Sequence, residues 1–381
     1  MTESPEIHPL SNEALLAPFR RVPREDWLVI GWALAIKVLL FVFGAKAFMI
    51  LDDKRLQSVS EWLSLWNRWD AQHFLQVAQV GYSKGPHLVI YPLFPFLIRI
   101  VAFAIGDFQV SALLVSTAAL IAVVVLLRRV VQLDYSPLLA QRAVWFLLIF
   151  PTAYFLQIGY SESLFLALVL GALLAARRDC WWLAGLLGGL AAMTRANGIG
   201  LLPTLLVEAM HQCYLGRKWR WRWLWLALVP AGLVVFLLIN LRVGGSWVAF
   251  LETRREIFRT SPAWPWVGIH EAINNLSRHP NQAEMVGAQE LYFVILTFVC
   301  AVISWFKLRP VYAMWITVNW IGFASLSFIQ SAPRYAVVCF PIFILFALLG
   351  QSRFWIGLIT AWSLLFLGLF AALFARGWWA F

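Results

Sequence analysis

Long uninterrupted runs of apolar residues are the feature that most constrains how this chain folds. A helix that crosses a membrane needs about 20 such residues, and eleven stretches approach that length. A transmembrane β-barrel would instead show strands that alternate apolar and polar residues. We therefore predict an all-α polytopic membrane protein with about eleven transmembrane helices. The predicted spans are 27–49, 108–127, 142–159, 162–176, 181–195, 198–212, 222–241, 289–306, 311–330, 335–351 and 355–375.

The composition excludes the main soluble classes. The 381 residues are 62% hydrophobic and 13% charged, whereas a soluble domain is roughly 45–50% apolar and about 25% charged. One soluble core could not enclose that much apolar surface. The four cysteines form no CxxC pair, so neither a disulfide framework nor a zinc site is indicated. We predict a single integral-membrane domain over residues 1–381, and no removable signal peptide, because the first residues lack an early apolar segment.

The distribution of Lys and Arg predicts the orientation of the chain. With the N-terminus inside, half of the 30 Lys and Arg fall in short inner loops and tails. Two long loops, 50–107 and 242–288, then lie outside, and residues 1–26 form a cytoplasmic tail. Excess positive charge on the inside is typical of membrane proteins. The net charge of +11 would also fit nucleic-acid binding, but the basic residues lie between apolar runs, so we predict no nucleic-acid partner.

Two apolar segments are interrupted. The segment 88–106 contains two prolines and Arg99, which disfavour a helix at the centre of a bilayer. We interpret it as interfacial or re-entrant, with a full span as the alternative. A full span there would also place Arg128–Arg129 outside. The spans 181–195 and 198–212 are separated by two residues and are interpreted as one broken helical hairpin.

The first outer loop contains a candidate general base. Asp70 and His73 are three residues apart and would share a face of a helix. A carboxylate flanked by Trp66 and Trp69 can have its pKa tuned by partial burial and can take a proton from an attacking hydroxyl. The alternative is that Asp70 caps a helix while the tryptophans anchor the interface. The spacing alone does not separate these interpretations.

Further polar residues lie at the predicted ends of other spans. Glu162, in the dense cluster Tyr160–Ser163, is either a site residue or a favourable charge at a helix N-terminus. Arg195 lies at membrane depth, where a guanidinium can bind phosphate in a bidentate manner. Its alternative is an ion pair with Glu162 or Glu208. Arg334 is either a phosphate ligand or a side chain that snorkels to lipid head groups.

The second outer loop is less specific. Charges of alternating sign over 252–259 are typical of a solvated amphipathic helix. Trp264 and Trp266 can stack on a sugar or lie in the membrane interface. The adjacent pair His270–Glu271 and the distant His279 lack the spacing of a zinc site. No nucleotide-binding motif is present, so an activated donor must arrive through the membrane or the outer face.

Together these motifs resemble the GPI mannosyltransferase II (PIG-V) family and its bacterial homologues, in the glycosyltransferase C superfamily. The resemblance implies a multi-span glycosyltransferase C-type fold and a polyprenyl-phosphate sugar donor, with mannose as the sugar. It makes Asp70 the general base of an inverting transfer and His73 its neighbour in the site. The segments that carry it are Arg68–Phe74, Gly81–Tyr82, Tyr91–Pro95, Tyr160–Phe165, Arg195–Gly198 and Pro333–Tyr335.

We predict that Arg195 and Arg334 bind the donor phosphate and that the enzyme needs no metal or other cofactor. The protein would work in the bacterial plasma membrane, with membrane lipid around it and its active site on the outer face; a eukaryotic member would face the lumen of the endoplasmic reticulum. The acceptor is left open. A lipid-linked substrate transporter or flippase and a non-catalytic assembly subunit are the alternatives. The remaining predicted substrate contacts are Trp69, Tyr160, Ser161, Glu162, Asn197 and Tyr335.

Overall fold

The computed structural model describes residues 23–216, 220–277 and 288–379. Across these ranges the regular structure is helical, apart from an isolated bridge between Pro262 and Leu326. The helices are α1 (Arg24–Leu51), α2 (Val59–Ser64), α3 (Asp70–Val80), α4 (Leu93–Ile105), α5 (Phe108–Val131), α6 (Pro137–Ile149), α7 (Glu162–Arg177), α8 (Trp181–Ala192), α9 (Leu201–Tyr214), α10 (Leu228–Ile239), α11 (Ala249–Glu256), α12 (Pro265–Asn274), α13 (Ala288–Lys307), α14 (Pro310–Ala324), α15 (Ala332–Ala336), α16 (Pro341–Leu349) and α17 (Arg353–Ala375). Short 3₁₀ or π turns are Pro86–Val89, Ala153–Leu156, Ala196–Gly200, Trp221–Ala227, Asn240–Gly244 and Asn275–Ser277.

Five helical stretches in the described ranges are long and apolar enough to cross a membrane. The predicted all-α membrane protein is therefore confirmed, whereas the number of eleven spans is not. Two predicted spans are visibly broken. Helix α6 ends at Ile149, and 335–351 is divided by Pro341, which begins α16 because proline lacks the N–H that a continuous helix requires. The five long stretches are Arg24–Leu51, Phe108–Val131, Trp221–Gly244, Ala288–Lys307 and Arg353–Ala375.

The break that the sequence predicts near residue 196 is present. Helix α8 ends at Ala192, the backbone of Arg195 is extended, and α9 begins at Leu201 after a 3₁₀ turn. Gly198 makes this turn possible, because a Cβ there would lie 2.4 Å from the backbone nitrogen of Ala192. Irregular backbone in membrane proteins is tolerated where protein buries it or where it lines a cavity. The break therefore marks a candidate site.

The segment 88–106 forms α4, which has 13 residues. That length is short of the about 20 residues of a full span, which favours the interfacial or re-entrant interpretation. Arg99 is accommodated because its Nε donates to the Ala78 carbonyl at 2.6 Å and its Nη2 donates to the Val77 carbonyl at 3.3 Å. These carbonyls belong to the last turn of α3, where a positive charge is favourable.

Two networks of charged residues lie at opposite ends of the bundle. Helix α7 begins at Glu162 and ends at Arg177, so these residues lie roughly 23 Å apart at 1.5 Å per residue. At the Arg177 end, a network joins that arginine to Asp134 at 2.8 Å, and Arg309 to Glu208 at 2.8 Å. The ends of helices that the charge pattern assigns to the inside therefore lie together. The other end holds the candidate site.

The second long loop folds into α11 and α12, and the rings of Trp264 and Trp266 stack on each other at 5.1 Å. Both tryptophans are exposed, and neither lines the cavity described below. His279 lies outside the described residues, as do the first 22 residues of the predicted tail.

Candidate active site

Four charged side chains from distant parts of the sequence form one connected network. Arg334 Nη1 donates to Asp70 Oδ2 at 2.5 Å, and its Nε donates to Glu162 Oε1. Arg195 Nη1 donates to the same oxygen of Glu162 at 2.6 Å, and to Ser161 Oγ at 3.2 Å. Two arginines and two carboxylates thus neutralise one another within a single cluster. The residues singled out from four separate motifs meet at one place.

Asp70 is the first residue of α3, and the residue at the N-cap position is Trp69. No side chain caps this helix, so the capping alternative for Asp70 is not observed. Trp69 has φ +52°, and Ser331, at the N-cap of α15, has φ +63°. Backbone conformations with positive φ in residues other than glycine cost about 1–3 kcal/mol and cluster at functional sites. Both strained residues flank members of the network.

Glu162 is fully buried at the first turn of α7. It therefore fulfils both interpretations, as the charge at a helix N-terminus and as a network member. Its Oε1 accepts from two arginines, while its Oε2 has no hydrogen-bond partner in the described part of the chain. The ion pair considered for Arg195 is formed with Glu162 and not with Glu208, which pairs with Arg309 at the opposite end.

Arg334 is held in an aromatic pocket. Its guanidinium lies 4.7 Å from the ring centroid of Tyr160 and 5.1 Å from that of Phe155. The hydroxyl of Tyr160 donates to the Arg68 carbonyl at 2.8 Å. Since Arg334 is 5% exposed and points into the network, it does not snorkel towards lipid head groups. Tyr160 supports the arginine from behind.

A cavity of about 170 Å³ opens next to this network. Seven of the predicted site residues line it: Asp70, His73, Ser161, Arg195, Asn197, Arg334 and Tyr335. The remaining predicted residues, Trp69, Tyr160 and Glu162, do not line it and lie behind its wall. The Tyr335 ring packs 5.5 Å from the Arg195 guanidinium, and Asn197 Nδ2 donates to Asn319 Oδ1 at 2.8 Å. The motif segments thus supply about half of the cavity wall, including Asp70, Arg195 and Arg334.

Opposing effects act on the carboxyl of Asp70. Burial raises its pKa, but the charge and hydrogen bond of Arg334 lower it, and Arg195 and His73 act in the same direction. The net effect is a pKa below the ordinary aspartate value. The side chain is still 34% exposed. Asp70 therefore presents an ionised carboxylate to the cavity at neutral pH.

His73 packs against a second histidine that the sequence does not single out. The two rings of His73 and His87 meet edge to face with centroids 6.1 Å apart. His87 is bonded to Ser83 Oγ at 2.9 Å and to Gln76 Oε1 at 3.0 Å. Burial, and then the neighbouring His73, lower the pKa of His87. His87 therefore packs beside His73, and its lowered pKa favours the neutral imidazole.

Several other cavity residues were missed by the sequence interpretation. Tyr91 stacks on Phe236 with centroids 3.9 Å apart, and Trp379 packs edge-on against Trp69 at 4.9 Å. Arg254 reaches the cavity from α11 of the second loop. Tyr91 lies within a motif segment, which was a usable signal. The alternating charges around Arg254 indicate only a solvated helix. Among the described residues, no group of three or more His, Cys, Asp or Glu could hold a metal ion.

Comparison with known proteins identifies the family to which the chain is similar. The family model described as mannosyltransferase (PIG-V) matches residues 48–241. The chain is 35% identical over 151 residues to the mouse protein GPI alpha-1,6-mannosyltransferase 2, covering 37% of this chain and 31% of that protein. It is 30% identical over 197 residues to the rat protein of the same name, covering 45% of this chain and 40% of that protein. The chain thus matches less than half the length of these relatives.

Among solved structures, the archaeal oligosaccharyltransferase AglB from Archaeoglobus fulgidus, in complex with an inhibitory peptide and a dolichol-phosphate, is similar over 91% of this chain and 56% of that chain. The sequence identity is 10% and the TM-score 0.44. The region matched by the family model includes Asp70, Glu162 and Arg195. It covers about half of the chain and confirms the resemblance that the motifs indicate. The chain belongs to the mannosyltransferase (PIG-V) family.

Proposed function

We propose that this protein is a membrane glycosyltransferase that moves mannose from a polyprenyl-phosphate donor to an acceptor hydroxyl, with inversion. The observation that carries the proposal is the ionised, partly exposed carboxylate of Asp70 in a cavity that is also lined by arginines. Family membership and the names of the relatives support mannose as the sugar.

The network supplies the parts that such a transfer requires. The oxygen of the acceptor hydroxyl bonds to the anomeric carbon while its proton passes to Asp70. The bond between that carbon and the phosphate oxygen breaks, and its electron pair leaves with the phosphate. Fixed positive charge near the departing phosphate stabilises the charge that develops there. Arg195 and Arg334 provide such charge from the cavity wall, so the proposal requires no metal or other cofactor.

The contact between Arg334 and Asp70 links the binding of the donor phosphate to the basicity of the Asp70 carboxylate. In the network Arg334 serves both Asp70 and Glu162. A phosphate that attracts Arg334 weakens its bond to Asp70, and the loss of that stabilising cation makes the carboxylate a stronger base. His73, next to Asp70 on the same face of α3, is placed to orient the incoming hydroxyl.

The charge pattern supports an orientation with the cavity at the end opposite the arginine-rich cytoplasmic loops, and we propose the bacterial plasma membrane as the location. The acceptor then approaches from the outer face, and the lipid chain of the donor remains in the bilayer.

Replacement of Asp70 by asparagine tests the proposal. The asparagine side chain retains an oxygen but cannot take a proton, so transfer from polyprenyl-phosphate mannose should fall by about 10²–10⁴-fold, the usual contribution of a general base. The matched control is Asp107→Asn, because Asp107 is an exposed cap of α5 whose Oδ1 accepts from Val110 N at 2.8 Å, and asparagine caps equally well. Near-normal transfer by a folded Asp70→Asn protein would refute the assignment. Lipid flux into liposomes without transfer would favour the flippase alternative.

A further inference from the structure

One cation of the cavity remains without a counter-charge. Asp70 and Glu162 are paired with Arg334 and Arg195. Arg254 lines the same cavity, and among the described residues its side chain forms neither an ion pair nor a hydrogen bond. Once the two paired arginines are offset by the two carboxylates, Arg254 leaves the cavity with one excess positive charge.

Arg254 lies on a helix that packs against the rest of the protein. It lies on the short helix α11, whose residues Ala249 and Thr253 are buried. The Arg254 carbonyl accepts from Phe258 N at 3.1 Å and from Thr260 N at 3.2 Å, which closes the turn after the helix. The side chain of Arg254 is half-buried, whereas that of Arg255 is exposed and does not line the cavity. The helix therefore directs one of two adjacent arginines into the site.

A half-buried charge without a partner is costly, and a ligand of opposite charge removes that cost. A phosphodiester carries one negative charge, which matches the excess of one positive charge in the cavity. The planar guanidinium can bind two phosphate oxygens at once. We infer that Arg254 binds the phosphate of the lipid-linked donor, as the charge that attracts the anion to an otherwise neutral site. This inference rests on the proposed function and deepens it.

The same position explains how the departing group is accommodated. As the bond from the anomeric carbon to the phosphate oxygen breaks, the phosphodiester becomes a phosphate monoester and gains one negative charge. Arg254 is the cavity cation whose charge no carboxylate of the described network already offsets, so it can respond to this increase. Arg195 and Arg334 also face the departing phosphate from the cavity wall, but their charges are shared with Glu162 and Asp70.

The test measures binding and transfer separately in the full-length protein in detergent. The binding probe is farnesyl phosphate, with uncharged farnesol as its reference, and transfer uses polyprenyl-phosphate mannose. Arg254→Ala should weaken binding of farnesyl phosphate by roughly 10- to 100-fold, the range for losing a charged hydrogen-bonded contact, and should raise the KM for the donor similarly. Arg254→Lys, which keeps the charge but not the planar fork, should be intermediate. Arg255→Ala is the matched control and should behave as wild type.

The outcomes separate this inference from the proposed function. The inference is overturned if wild type and Arg254→Ala bind farnesyl phosphate equally well. It is also overturned if Arg255→Ala loses as much affinity as Arg254→Ala, or if the wild type does not prefer farnesyl phosphate to farnesol. Transfer of mannose with an unchanged donor KM in Arg254→Ala leaves the proposed function standing and rejects the inference. If binding depends on Arg254 but the protein transfers no mannose, the inference about Arg254 stands and the proposed function is rejected.

Discussion

Removing the charge of Glu162 should expose how strongly the network depends on charge balance. Glu162 is fully buried, and its Oε1 accepts from Arg195 and Arg334. Glu162→Gln preserves the size of the side chain but leaves Arg195 without a carboxylate, while Arg334 retains Asp70. Removing one partner of a buried ion pair typically costs about 3–5 kcal/mol. We expect a loss of about that size in the free energy of unfolding.

A double-mutant cycle turns this expectation into a measure of coupling. Arg195→Gln alone leaves Glu162 paired with Arg334, so it should cost about 1.5–3 kcal/mol, the range for a hydrogen bond to a charged group. In the double variant a neutral amide pair replaces an ion pair, and the remaining pair of Arg334 with Asp70 is balanced. The double variant should therefore be more stable than the sum of the single losses predicts, by about 1–3 kcal/mol.

The assay is unfolding of the purified protein in detergent, followed by circular dichroism for all four members of the cycle. Glu162→Gln combined with Arg177→Gln is the matched control cycle. Arg177 lies at the opposite end of α7, and substitutions at distant sites are usually additive. If the cycle of Glu162 with Arg195 is as additive as the control, the two residues do not form a functional charge pair and the reasoning fails.

Two further predictions concern pH and packing. The pKa of Asp70 in the folded protein is held below its ordinary value. Its ion pair therefore stabilises the protein at pH values above the unfolded-state pKa of about 3.9, and this stabilisation is lost as the pH falls through the lower, folded-state pKa. The difference in unfolding free energy between wild type and Asp70→Asn should be constant between about pH 5 and 8 and shrink only below about pH 4. Gly232→Ala should destabilise the protein by about 1–3 kcal/mol in thermal unfolding, because the added Cβ would lie 2.0 Å from the Gly189 carbonyl oxygen. Gly322 has open space around it, so Gly322→Ala should have little effect. Equal stability of the two alanine variants would contradict the close approach of α8 and α10.

The meeting of the four network residues follows from a simple property of the sequence. Asp70, Glu162, Arg195 and Arg334 each adjoin an apolar run, and the charge pattern of the loops assigns all four to the same side. Reversal of direction at each span brings such residues to one end of a bundle. The sequence therefore predicts which residues share a neighbourhood, although they are up to 264 positions apart.

The partners within that neighbourhood could not be predicted. Arg195 had two candidate carboxylate partners, and only the packing of α7 against α8 selects Glu162. The capping alternative for Asp70 depends on a shift of one residue, because α3 begins at Asp70 and Trp69, with a positive φ, occupies the N-cap position. Such choices depend on contacts between elements, and a local pattern does not contain them.

Arg254 could not be predicted from the sequence for the same reason. The alternating charges of α11 indicate a helix with a polar face, but they do not indicate what lies opposite that face. Only the folded second loop shows that Arg254 reaches the cavity while Arg255 faces away. The short helices near the site have a similar origin. Prolines and buried irregular segments interrupt runs that hydropathy alone counts as spans, for example at Pro341.

The charged residues of the site come from two parts of the chain. The region that the family model matches, 48–241, supplies Asp70, Glu162 and Arg195, whereas Arg334 and Arg254 follow it in sequence. Without Arg334, the two carboxylates would share Arg195 as their remaining cation in the network and would carry an excess negative charge. That charge would repel a phosphate. The later part of the chain thus supplies Arg334, which offsets this charge, and Arg254, which adds one positive charge. Under the proposed function, an anionic donor would therefore reach Asp70 only when both parts of the chain are folded together.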